Sequence, residues 1–148
     1  MRINPNNAIA YYNLGKNFAN QEKIEDAISY YRKTLHINPK KLSQALYNLC
    51  WIFTTHSDAE YRNGKEALGL AQRLCKFTRY KQPIALDSLA VAFAEVGNFD
   101  DAVSTAKKGF ELALDQGPEE LIQGLENRLQ LYEKRHPYRQ THSGRGSS

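Results

Sequence analysis

From residue 8 onward, apolar and small residues fall at helical spacings in two successive runs. Leu14, Gly15 and Phe18 share one face of a first helix, and Ala27, Tyr31 and Leu35 recur every four residues along a second. Gly15 and Ala27 are small where the two helices must approach closely. Pro39 is expected to end the second helix and, with Asn38, to turn the chain. The pattern returns over 83–116 as Leu89, Ala90, Phe93, Gly97, Ala102, Ala106 and Gly109, with Leu114 in place of the proline. A looser copy lies between them, with Leu49, Cys50 and Phe53 on one helix and Ala67, Ala71 and Leu74 on the next.

The step from aromatic to alanine measures the turn inside each pair. It is 9 residues from Phe18 to Ala27 and from Phe93 to Ala102, but 14 from Phe53 to Ala67. The middle pair therefore carries a five-residue insertion within 56–63. Gly64 is expected to supply a flexible or positive-φ position, with the next helix starting near Lys65. Beyond residue 117 one amphipathic helix is expected over 118–138. Pro118 suits its first turn, Glu119 and Glu120 complement the helix dipole, and Leu121, Leu125, Leu129 and Tyr132 form its apolar stripe. Residues 139–148 lack apolar periodicity and are expected to be disordered.

"RINPN" at 2–6 recurs as "HINPK" at 36–40, a spacing of 34. This period, with small residues at repeat positions 8 and 20, large apolar ones at 7, 11 and 24 and proline at 32, resembles the tetratricopeptide repeat family. The resemblance implies an all-α fold, a right-handed α-solenoid of three helix-turn-helix repeats plus a C-terminal capping helix. Repeats are expected at 8–41, 42–82 and 83–117, the capping helix at 118–138, and a remnant of an upstream repeat at 1–7. "WIFTTHSDAEYRNGKEALGLA", with Asp58, Arg62 and Gly64 in its loop, resembles a bacterial variant of the repeat. In such proteins this part often ends a long multidomain chain. The chain is accordingly expected to be the carboxy-terminal part of a longer array, its first helix offering a bare face for homodimerisation.

Composition narrows the function classes. With 148 residues, 41% hydrophobic and 24% charged, the chain suits one folding unit. It has no apolar run of the roughly 18 residues a membrane span requires and no export signal, so no membrane contact is expected. Cys50 and Cys75 sit inside apolar helical patterns, which fits reduced, packed thiols and a cytoplasmic location. The net charge of +4 is uneven: residues 1–82 hold 13 Lys/Arg against 6 Asp/Glu, and 83–117 hold 2 against 6. The basic residues are scattered rather than clustered with stacking aromatics, which argues against nucleic acid as a partner.

The stretch "CWIFTTHSDAEYRNG" gathers candidate chemistry in one place. His56, Asp58 and Glu60 alternate as metal ligands on an extended segment would, and Cys50 with His56 has the composition of a nucleophile pair. Cys50, however, occupies a core position, and the three remaining ligands lie on a turn without evident supporting residues. No phosphate-binding glycine loop, HExxH, CxxC pair or GxSxG is present. No catalytic residue, metal or cofactor is expected.

The resemblance instead implies a concave groove lined by the first helix of each repeat, where a protein or peptide ligand docks. Its candidate residues are Tyr12, Lys16, Gln44, Tyr47, Asn48, Trp51, Asp87 and Val91. Tyr12, Tyr47 and Trp51 are the expected anchors, since amphipathic aromatics bury large area with few rotatable bonds. The carboxylate clamp of chaperone-tail-binding relatives is not expected. Its positions hold Tyr12, Lys16, Asn48, Ile84 and Ser88, of which only Asn48 matches.

Overall fold

Proline has no backbone N–H to donate, so it is tolerated in a helix's first turn, where the amides lack partners anyway. The computed structural model describes residues 5–35 and 39–139. Three of its helices open on proline: α1 (Pro5–Asn20), α3 (Pro39–Thr55) and α5 (Pro83–Glu95). Between the first two, α2 (Ile24–Leu35) ends before the proline that was expected to stop it. Pro39 therefore starts a helix rather than closing one, and residues 5–7 belong to α1 rather than to a preceding element. α4 (Gly64–Phe77), α6 (Phe99–Gln116) and α7 (Glu119–Glu133) complete the set. Among the described residues every regular element is helical, and none is long and apolar enough to cross a membrane.

The chain divides into two compact units, Met1–Leu49 and Cys50–Ser148, where its length alone suggests one. In the first, α1 packs on α2. Ala27 and Tyr31 are buried as expected, and a Cβ on Gly15 would stand 2.7 Å from the Tyr31 ring. Leu14, expected to face α2, is instead 37% exposed. In the second unit α5 is the central element, packed against α4, α6 and α7. All of its residues from 85 to 92 are buried, and its alanines let the neighbouring helices come close. From α6, Ala102, Ala106, Gly109 and Ala113 form a buried small-residue stripe.

One backbone bond closes each inter-helix turn. The amide of Lys23 donates to the Phe18 carbonyl (2.8 Å), and the amide of Asn98 donates to Phe93 (2.9 Å). In the middle pair the amide of Asn63 donates to Phe53 (2.7 Å), so the closure spans five more residues than in its counterparts. The insertion thus lies within the loop that this bond closes. The position four residues after the aromatic takes a left-handed backbone, with φ of 85° at Gly97 and 62° at Glu22. Asn63 and Asn98 then cap α4 and α6 by accepting from the amides of Glu66 and Asp101.

The helix expected over 118–138 stops at Glu133. Arg135 takes φ of 64°, and Pro137 disfavours helical backbone at His136. Lys134 and Arg135 turn the chain, residues 136–139 follow as a strap without regular structure, and Arg139, expected in a disordered tail, is held by ion pairing. The remainder of that tail, residues 1–4 of the expected upstream remnant and the turn at Asn38 lie outside the described residues.

Candidate functional site

The insertion in the middle pair is built from its own side chains. Asp58 caps a short 3-10 turn, Ala59–Tyr61, by accepting from the amide of Glu60, while the amide of Asp58 donates to Nδ1 of His56. Arg62 donates through Nη1 to the carbonyls of His56 (2.7 Å) and Ser57 (3.2 Å), and its Nε lies 3.6 Å from Glu95. Gly64 has no positive φ, and α4 starts on it rather than at Lys65. Its need is close approach, since a Cβ would stand 2.8 Å from Cγ of Glu95 and 3.0 Å from Cγ1 of Val96. These side chains are engaged in holding a turn, and among the described residues no three His, Cys, Asp or Glu gather as a metal ion requires.

Neither cysteine is an activated nucleophile. Both are fully buried, and burial is the main cause that pushes the Cys50 thiol far up and the Cys75 thiol to about 11. At neutral pH both are protonated, packed thiols. Cys50 Sγ lies 3.5 Å from the Ser88 carbonyl and Cys75 Sγ 3.3 Å from that of Ala85, so each sulfur donates to α5.

Five of the groove candidates lie in the first unit. Tyr12 is nearly buried against Tyr31, with ring centroids 5.7 Å apart, and its hydroxyl accepts from Nδ2 of Asn48 (3.0 Å). That bond joins α1 to α3. The Lys16 ammonium lies 5.8 Å from the Tyr12 ring. Gln44 and Lys16 are exposed, and Tyr47 and Asn48 are half-buried. Of these five, Tyr12 and Asn48 bond each other, and Lys16 and Gln44 are the exposed members.

Trp51, Asp87 and Val91 lie in the second unit, where the carboxy-terminal elements cover them. Asp87 and Val91 are each only 2% exposed. Asp87 accepts from Arg128 of α7 in a bidentate pair, Nε to Oδ1 at 2.9 Å and Nη2 to Oδ2 at 2.6 Å. Burial raises the Asp87 carboxyl above its usual range while Arg128 draws it back down. Burial of Arg128 opposes its charge, but the charge and hydrogen bonds of Asp87 outweigh that and hold the guanidinium protonated. Asp87, expected to face a ligand in the groove, is thus paired with a base of its own chain. The Arg128 guanidinium lies 5.2 Å from the rings of both Trp51 and Tyr138, and those rings meet edge to face at 5.8 Å. Tyr132 is fully buried in the same cluster with its hydroxyl unpaired among the described residues.

Sequence reasoning missed Glu95, Arg128, Tyr138 and Arg139 as members of this cluster. The available signal was "RHPYR", where a proline breaks a helix and leaves an aromatic and a cation beyond the break.

Compared with models of protein families, residues 8–41 match the tetratricopeptide repeat. No curated protein matches the chain.

Proposed function

Because residues 8–41 match the tetratricopeptide repeat, we propose that the chain is a non-catalytic scaffold that binds a peptide or partner segment on its first helices. Repeats of this family generally mediate protein–protein interaction. The observation that carries the reading is the Tyr12–Asn48 hydrogen bond, which holds α1 and α3 together with Lys16, Gln44 and Tyr47 presented to solvent or half-buried. Tyr47 supplies an amphipathic anchor, and Lys16 a cation for a carboxylate on the partner. The test is calorimetry with a partner recovered by pull-down. Tyr47→Ala and Lys16→Glu are each expected to weaken binding about tenfold, the usual effect of truncating a contact worth 1–2 kcal/mol. Unchanged affinity in both overturns the reading.

A second reading is self-assembly. It is favoured by Ile9 and Leu14 of α1, large apolar residues that are 46% and 37% exposed.

A further inference from the structure

The strap that follows α7 lies in a socket with two compartments. Tyr138 enters the first, formed by the edge-to-face Trp51 ring and the guanidinium of Arg128, which Asp87 fixes in place. Arg139 enters the second. Its Nη1 donates to Oε1 of Glu95 (2.6 Å) and to the carbonyl of Thr54 (3.3 Å), and its Nη2 to Oε2 of Glu95 (3.4 Å). Glu95 ends α5 and Thr54 lies in the last turn of α3, so the cation sits at the negative ends of two helices as well as on a carboxylate. A tryptophan ring and a guanidinium beside a carboxylate flanked by helix C-termini make a surface of defined chemistry.

The strap is held through these two side chains and not by a regular element of its own. It follows a left-handed residue, contains no regular structure, and the Arg139 side chain remains 33% exposed. A segment of this kind opens locally at lower cost than the helices that receive it.

We propose that this socket is an exchangeable recognition site for a peptide carrying an aromatic residue followed by arginine, occupied in cis by Tyr138 and Arg139 and open to a partner segment of the same chemistry. This rests on the interaction-scaffold reading above and names a ligand class for the residues of the second unit. The cis occupant defines the specificity: a ring of tyrosine size, then a planar bidentate cation for which lysine is a poor substitute.

Trp51 is the chain's only tryptophan and lies in the socket wall, so its fluorescence reports occupancy directly. In the full-length Tyr138→Ala/Arg139→Ala variant the Trp51 emission is expected to shift to the red. Titration with the synthetic peptide KRHPYR is then expected to reverse the shift saturably, with the native chain binding at least tenfold more weakly because its strap competes. Peptides with Arg→Lys or Tyr→Ala are expected to bind about tenfold more weakly, a comparison that leaves the protein unaltered. Circular dichroism confirms that the helices persist; if the double variant loses them, Arg139→Ala, which retains the aromatic cover, carries the titration. No saturable response, equal binding of the substituted peptides, or equal binding by the native chain each overturns the proposal. Partner binding through Tyr47 and Lys16 is measured separately, so the failure of one reading is distinguishable from that of the other.

Discussion

Asp87 and Arg128 stand 41 positions apart in the chain and meet at 2.6 Å in a site where the carboxylate is almost wholly enclosed. Removing one partner of such a pair leaves a buried charge uncompensated, which outweighs the net value of the pair itself. Arg128→Ala is expected to destabilise the second unit by about 3–5 kcal/mol in urea denaturation, whereas Asp87→Leu combined with Arg128→Met costs much less. The thiol of Cys75 and the phenol of Tyr31 give a further residue-scale expectation. Burial raises Cys75 from 9.0 to about 11, and burial followed by the proximity of Tyr12 raises Tyr31 from 10.0 to about 12. Each group holds its proton more tightly when folded, so its stabilisation is complete below the unfolded value and is lost as pH rises through the folded one. Stability is therefore expected to fall between pH 9 and 12, and Cys75→Ala with Tyr31→Phe to flatten that decline in denaturation curves taken at successive pH values.

At the scale of elements, the turns of the first and third helix pairs solve one problem with different residues. Glu22 and Gly97 occupy the same left-handed position, and only glycine adopts it without a steric penalty. Glu22→Gly is expected to stabilise the first unit by about 1 kcal/mol and Gly97→Ala to destabilise the second by a similar amount, both read from thermal melts. The five-residue insertion was legible because the distance from Phe53 to Ala67 exceeds that of its counterparts, and helix packing leaves surplus residues nowhere to go except the turn. Its internal bonding was not legible. A polar loop was expected there, but which backbone groups Arg62 and Asp58 bond is seen only in the structure. The expected extent of α7 ran past Pro137 although its apolar stripe ends at Tyr132 and proline restricts the residue before it.

For the whole molecule, the open question is whether it acts alone or as a pair. If Ile9 and Leu14 join two copies, sedimentation equilibrium is expected to show a concentration-dependent dimer that Leu14→Glu converts to monomer; a monomer at every concentration removes that reading. The sequence by itself determined the helical periods, the small residues at close approaches, the repeat and its insertion, because these depend on spacing along one or two adjacent helices. The tertiary structure alone decided that Asp87 and Val91 are covered, that Gly64 serves close approach rather than a turn, and that Tyr138 and Arg139 lie against Trp51 and Glu95. Each of those depends on contacts between residues 31 to 87 positions apart. A local pattern carries no record of such contacts, since any buried position and any exposed one have the same periodicity until a later segment arrives to cover it.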